Sequence, residues 1–219
     1  MMNFETVVRH YWQEALRTIQ EDWNEREHDE KAIRAVTDAK TEHSTRQKDL
    51  CAWFQFYRVF RGLTSDQQNQ ITDAVLAWSD KRGPRRDLTS PEALADVHRD
   101  LMKTVQDAYG KPRDFTSLAS KALWLCYPDS VPIFDRWTRN ALYVISKIEN
   151  GINPIAEKTP EYEQFAHVWK QLYSKYKETI ENLNIGNYPY RVRVFDRILW
   201  LIGRPSYQRD WTSPAPTES

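Results

Sequence analysis

The sequence predicts a single, almost wholly α-helical domain. Apolar residues recur at helical spacing, Gly or Pro separates most of these segments, and strict apolar–polar alternation is scarce. Only 6 of the 219 residues are glycine, which argues against a loop-rich β architecture or a glycine-rich nucleotide-binding fold. We expect an all-α bundle of about eight helices over residues 1–210. It forms either one body or two lobes with a cleft between them, and a disordered tail follows at 211–219.

The first half of the chain alternates between apolar and polar segments. Residues 4–23 carry apolar side chains at helical spacing, which predicts an amphipathic helix. Residues 24–48 are polar and charged, and they predict either a solvated helix or a mobile connection. The aromatic run at 49–62 predicts a buried helix that is ended by Gly62. A serine then opens a further helix over 65–78.

The second half begins with the clearest helix start in the sequence. Ser90 is a suitable N-cap, a proline occupies the first helical position, and a glutamate follows in the first turn. This helix is expected to end at Gly110. Further helices are predicted over 115–127, 133–148, 160–183 and 191–202, and Gly203 closes the last one. Residues 133–136 and 194–197 share the tripeptide Phe-Asp-Arg, but this similarity is too short to indicate a repeat.

Positive charge is clustered locally in a chain whose formal net charge is zero. A neutral chain has no overall field that attracts nucleic acid, so a polyanion site has to come from such clusters. The clearest cluster surrounds a Gly-Pro loop, which we expect either to contact phosphate or to remain a solvated surface loop. Its four basic residues are Lys81, Arg82, Arg85 and Arg86.

Several functional classes lack support in the sequence. The histidines show no metal-ligand spacing, and no Walker loop, dinucleotide fingerprint or nucleophile elbow is present, so we expect neither a metal nor a cofactor. The 2 cysteines lie far apart, as expected for buried or idle thiols in a reducing compartment. There is no apolar run of membrane-spanning length and no secretory pattern at the N-terminus. These features predict a cytoplasmic protein without a membrane partner.

The most informative stretch runs from Ser117 to Arg139. An apolar helix is followed by a tight proline-bounded turn, and Asp135 then stands near the start of a second helix. A carboxylate in that position can serve the fold alone, because negative charge is favourable at a helix N-terminus. It can also be a reactive group that the turn holds in a fixed direction.

This stretch resembles the helix-hairpin-helix DNA glycosylase superfamily, the HhH-GPD proteins. The segment Val131-Pro-Ile-Phe-Asp135 is similar to the one that carries the family's catalytic aspartate, and the resemblance implies that role for Asp135. Arg136 and Arg139 continue the segment, as basic residues often do in that family. The resemblance is clear over about residues 105–145, and 192–203 is similar to the last helix of small bacterial relatives.

The chain departs from the family pattern at the hairpin. The family hairpin carries a pair of glycines, whereas this chain has Lys111-Pro-Arg-Asp-Phe115, so Lys111 and Arg113 are expected to replace backbone amides as phosphate contacts. The lysine of lyase members aligns with Ser117, and Lys121 lies one helical turn later on the same face. Lys121 is either a shifted nucleophile or a lysine that packs its stem and exposes its amine.

The resemblance implies a DNA glycosylase that hydrolyses the N-glycosidic bond of a damaged or modified base in double-stranded DNA. Such an enzyme takes its target base out of the duplex, so aromatic side chains can stack on it. Three aromatic residues are candidates for stacking, with core packing as the alternative for each: Trp124, Tyr127 and Trp137. Two other functions stay open, a non-catalytic DNA-binding relative and a helical protein-interaction module in a bacterial defence or regulatory system.

Overall fold

The structure is a computed structural model that describes residues 4–22, 25–82, 88, 90–156 and 161–205. Within these ranges the chain is all-helical, with ten α-helices and no strand, which confirms the predicted all-α fold class. The predicted tail at 211–219 lies outside the described residues, as do Arg85 and Arg86 of the basic loop. No helix in these ranges has the length and apolar character that a membrane crossing requires.

The ten helices follow one another with short connections. A π-helical turn at Thr18–Asp22 follows the first of them. They are α1 (Phe4–Arg17), α2 (Glu25–Thr37), α3 (His43–Phe56), α4 (Ser65–Lys81), α5 (Pro91–Tyr109), α6 (Thr116–Cys126), α7 (Arg136–Ile148), α8 (Tyr162–Lys175), α9 (Lys177–Glu181) and α10 (Arg191–Gly203).

The chain divides into two compact units. The discontinuous unit consists of Met1–Trp23 and Pro132–Ser219, and the continuous unit consists of Asn24–Val131. In the discontinuous unit α10 packs against both α7 and α1, and α7 also contacts α8. In the continuous unit α2 packs against α3, and α4 packs against α5. The boundary between Val131 and Pro132 falls inside the proline-bounded turn that leads to Asp135.

The helix ends are where the structure departs most from the sequence-based expectations. Ser90 and Gly110 bound α5 as predicted, since the Ser90 side chain accepts the Ala93 N–H and Gly110 is left-handed with φ 75°. In contrast, α3 begins at His43 instead of residue 49, because the buried Arg46 is part of its packed face. The guanidinium of Arg46 donates to the Ala35 carbonyl and to both carboxylate oxygens of Asp80.

Gly203 ends the last helix as predicted, and it has a second role in packing. It is the last residue of α10, and a Cβ atom built on it meets the Trp137 carbonyl oxygen at 1.8 Å. Only glycine allows the backbones of α7 and α10 to approach this closely. Gly203 is therefore required by helix packing as well as being the last residue of α10.

Candidate active site

Asp135 is the N-cap of α7, which starts at Arg136 and not near residue 133 as predicted. Its backbone is extended, with φ −140° and ψ 171°, and its side chain turns back onto the helix. Oδ1 accepts the backbone N–H groups of Trp137 and Thr138, both at 2.8 Å. No described residue donates to Oδ2, and the side chain is partly exposed. The capping interpretation of Asp135 therefore holds, and it leaves one carboxylate oxygen available.

The turn before Asp135 is held by two side chains from other helices. Asp196 on α10 accepts the Ile133 N–H through Oδ2 at 3.0 Å. Tyr162 on α8 donates its hydroxyl to the Pro132 carbonyl at 3.2 Å. Both bonds are buried, so the two residues fix the backbone two and three positions ahead of Asp135. The direction in which the Asp135 carboxylate leaves the turn is set by these contacts.

Asp196 is a buried acid that the sequence analysis did not select. Its side chain is 1% exposed, and its Oδ1 accepts the Trp169 indole N–H at 2.7 Å. Burial raises the pKa of Asp196 to about 7, opposed by the Ile133 N–H, the charge of Arg193 and the Trp169 N–H. The charge of Asp135 raises the pKa further. The sequence feature that could have pointed to Asp196 is the Phe-Asp-Arg tripeptide that occurs both after Ile133 and after Val194. The hydrogen bond from Ile133 to Asp196 connects these two segments.

Lys121 lies on α6 and is largely buried. The residue is 7% exposed, and its Nζ donates to the Ser117 Oγ at 2.7 Å. The two residues therefore share a helix face, as the spacing of four predicts. The structure therefore differs from the predicted alternative in which Lys121 exposes its amine to solvent. The ammonium group is instead held one turn back along its own helix.

The segment that replaces the family hairpin is attached to the loop between α3 and α4. Lys111 is exposed, whereas Arg113 donates its Nη2 to the Arg61 carbonyl at 2.6 Å. The Arg113 carbonyl in turn accepts the side-chain amide of Gln106 at 3.0 Å. The Arg113 guanidinium also lies 5.4 Å from the centroid of the Phe115 ring. Arg113 thus holds the loop between α3 and α4, in addition to any contact it makes with phosphate.

Two residues of the basic loop are described, and they differ in what surrounds them. Lys81 is exposed. Arg82 pairs with Asp100 at 2.8 Å and lies 4.6 Å from the centroid of the Trp78 ring. The hydrogen bonds from Arg82 and Trp78 lower the pKa of Asp100, so this carboxylate offsets the Arg82 charge. The positive charge that the loop offers to a polyanion is smaller than the residue count indicates.

The basic residues after Asp135 lie on α7. Arg136 is exposed, and its guanidinium stands 4.7 Å from the centroid of the Trp137 ring. Arg139 is partly buried, and its Nε has no hydrogen-bond partner in the described part of the chain. Arg136 is therefore the better placed of the two to reach a phosphate.

The three aromatic candidates have different surroundings. Trp124 is 0% exposed and stacks on Trp53, with ring centroids 6.2 Å apart and an interplanar angle of 10°. We assign Trp124 to the core of the continuous unit, because a fully buried ring has no face to offer a base. Tyr127 and Trp137 are partly exposed and remain candidates.

The candidate residues are divided between the two units. The discontinuous unit contains Asp135, Arg136, Trp137 and Arg139, and Asp196 joins them there. The continuous unit contains Lys81, Arg82, Lys111, Arg113, Lys121, Trp124 and Tyr127. In neither unit do three described His, Cys, Asp or Glu side chains gather as they would around a metal ion.

Comparison with known proteins identifies no relative of this chain. No protein-family model matches it, and no curated protein or solved structure is significantly similar to it.

Proposed function

We propose that the chain is a DNA glycosylase-like enzyme that hydrolyses the N-glycosidic bond of a modified or damaged base, with Asp135 as its catalytic carboxylate. In this reaction the bond between C1′ and the base nitrogen breaks, and its electron pair leaves with the base. The oxygen of a water molecule then bonds to C1′, and one proton of that water passes to the departing base. The sugar carries oxocarbenium character in between, as in glycoside hydrolysis.

One observation carries this proposal, namely the hydrogen bonding of the Asp135 carboxylate. Two backbone N–H groups hold Oδ1 at 2.8 Å each, while Oδ2 receives no donor from the described residues. A carboxylate oxygen that the protein does not engage can face the positive charge that develops on the sugar, and such an interaction stabilises the transition state. Because Asp196 and Tyr162 hold the preceding turn, the acceptor is positioned before substrate arrives.

Each unit contains residues that suit the binding of a duplex. Arg136 is exposed one position after Asp135 and can contact phosphate. Trp137 is partly exposed in the same unit as Asp135 and is the aromatic side chain we propose for stacking on an extruded base, and Tyr127, partly exposed in the continuous unit, is a separate candidate. Lys121 is the candidate amine for a lyase step, in which its amine would condense with the C1′ aldehyde of the ring-opened abasic sugar, releasing one water molecule and leaving a Schiff base. Borohydride reduction of such an intermediate traps a covalent complex, which Lys121→Gln should lose.

The first prediction is that Asp135→Asn abolishes base release without unfolding the chain. Asparagine keeps an oxygen that can cap α7 and removes the charge that stabilises the sugar cation. Base release should be measured under single turnover on duplexes that each contain one oxidised, deaminated or alkylated base. The melting temperature of each variant should be recorded alongside.

Asp135→Ala separates the two roles of this residue. It removes both the charge and the cap, so it should lose base release and also about 1 kcal/mol of stability. Equal base release by the parent and Asp135→Asn would end the catalytic assignment. Duplex binding without base release by the parent would favour the non-catalytic DNA-binding alternative.

A further inference from the structure

The loop between α3 and α4 contains an arginine in a backbone conformation that normally belongs to glycine. Arg58 has φ 54° and is the one non-glycine residue with positive φ among those described. Its N–H bonds to the Gln55 carbonyl at 2.9 Å, and the Val59 N–H bonds to the Phe54 carbonyl at 3.0 Å. This pair of bonds is the Schellman motif, whose left-handed position is usually glycine. An arginine placed there at a conformational cost suggests a use for its side chain.

Arg58 lines a cavity of about 340 Å³. The cavity is lined by Gln55, Arg58, Phe60, Arg61 and Gln68. The buried Phe60 ring lies against Phe54, at a centroid distance of 5.1 Å. Two amide side chains, two guanidinium groups and one apolar ring thus line this open surface cavity. Amide and guanidinium groups are hydrogen-bond donors, so this lining suits a ligand that carries oxygen acceptors.

The amide side chains of the cavity are held in place by hydrogen bonds. Gln55 donates its Nε2 to the Gln68 Oε1 at 2.8 Å. Gln68 donates its own Nε2 to the Leu63 carbonyl at 3.0 Å. Arg113 joins the loop from the segment after α5 through its bond to the Arg61 carbonyl at 2.6 Å. The loop is therefore fixed from both α4 and that segment.

The two positive charges of this cavity have no ion-pair partner in the described part of the chain. Arg58 and Arg61 are exposed, and neither forms an ion pair with a carboxylate that the structure describes. Two other exposed basic residues of the same unit are paired, Arg99 with Asp96 and Lys103 with Asp107. Guanidinium groups bind phosphate oxygens through paired hydrogen bonds. Two unpaired guanidinium groups at one cavity are suited to a phosphate-bearing ligand.

We propose that Arg58, Arg61 and the cavity they line bind backbone phosphates of duplex DNA. The choice of DNA rests on the proposed function, since an enzyme that acts on duplex DNA gains much of its affinity from contacts with backbone phosphates. The two arginines lie well before the segment that resembles the glycosylase family, which begins at about residue 105. They therefore add a contact that the resemblance does not supply.

The test compares two double variants that lose the same charge from the same unit. The first is Arg58→Gly with Arg61→Gln, and the matched control is Arg99→Gln with Lys103→Gln. Binding to an undamaged duplex of about 20 base pairs is measured across a series of salt concentrations. The first variant should bind about tenfold more weakly and show a salt slope shallower by about 2, as expected for two lost phosphate contacts. The control should change affinity by less than about threefold, because its cations are already paired.

The single variant Arg58→Gly guards against a folding artefact. Glycine suits the left-handed position, so its melting temperature should equal or exceed that of the parent while DNA binding weakens. Equal losses in the two double variants would show a general charge effect and overturn the site. Binding of inorganic phosphate without binding of the duplex would overturn the choice of DNA. Because this binding assay uses an undamaged duplex, its result does not depend on base release. A chain that binds the duplex through Arg58 but releases no base from the modified duplexes would end the Asp135 assignment alone.

Discussion

At the scale of single residues, Asp196 is a buried titratable group that holds the backbone of the candidate site. It is a buried acid with a pKa of about 7, and it accepts hydrogen bonds from the backbone ahead of Asp135 and from the Trp169 indole. We propose different roles for the two acids. Asp135 is partly exposed and can face substrate, whereas Asp196 is buried and can only hold the backbone. We infer that Asp196 is a positioning residue for the turn. A partner 63 residues away in the sequence is beyond what local patterns predict.

The Asp196 carboxyl should make stability depend on pH. Its folded pKa of about 7 lies above the ordinary value of 3.8, so its stabilising contribution is complete below about 3.8 and is lost as the pH rises through about 7. We predict that the parent loses about 2–3 kcal/mol relative to Asp196→Asn between pH 5 and pH 8. Urea unfolding at both pH values measures this difference. Parallel pH profiles for the two proteins would contradict it.

At the scale of elements, the contact between α7 and α10 depends on one glycine. A Cβ atom on Gly203 would lie 1.8 Å from the Trp137 carbonyl oxygen and 3.1 Å from the Ala141 backbone nitrogen. These neighbours are backbone atoms, so relief requires a movement of one helix against the other. Since α7 begins directly after Asp135, the packing of this helix bears on the candidate site.

We predict that Gly203→Ala destabilises the chain by about 1–3 kcal/mol, the usual range for overpacking. Thermal unfolding measures this effect. Gly186→Ala is a useful comparison, because a Cβ atom added there would have no neighbour within 4 Å and only the φ of 59° opposes alanine. A Gly203→Ala variant as stable as the parent would mean that α7 and α10 can separate freely at this point.

The helices show what a sequence can and cannot predict. The ends of α5 were predictable because Ser90 and Gly110 act through local hydrogen bonds and backbone conformation. The end of α3 was not, since Arg58 takes a left-handed conformation that Gly62 would have been expected to supply four residues later. Asp135 was selected from its local context, whereas Asp196 and the Arg58 cavity depend on side chains that only the tertiary fold brings together.

At the scale of the whole molecule, two buried titratable groups act on stability in opposite directions. His98 is 3% exposed, and its Nε2 lies 3.0 Å from the Thr116 carbonyl, to which it donates. Burial lowers the pKa of His98 to about 4. Its stabilising contribution is complete above about 6.5 and is lost as the pH falls through about 4, the reverse of Asp196. His98 belongs to the continuous unit and Asp196 to the discontinuous one.

We predict that His98→Gln removes this sensitivity to acid. Glutamine can donate to the same carbonyl but does not titrate, so the variant should gain stability relative to the parent as the pH falls from about 6.5 to about 4. Urea unfolding at three pH values across this window measures the change. A constant difference between the two proteins would show that His98 is not the group that titrates.

The central claim is that the chain breaks N-glycosidic bonds through Asp135. The most direct measurement is mass spectrometry of the free base released when the parent, in excess over DNA, is incubated with duplexes that each carry one modified base. We predict that at least one duplex yields free base and abasic sites in equal amounts, and that Asp135→Asn yields neither while it remains folded. No released base from any duplex at full binding, or equal release by the variant, would contradict the claim.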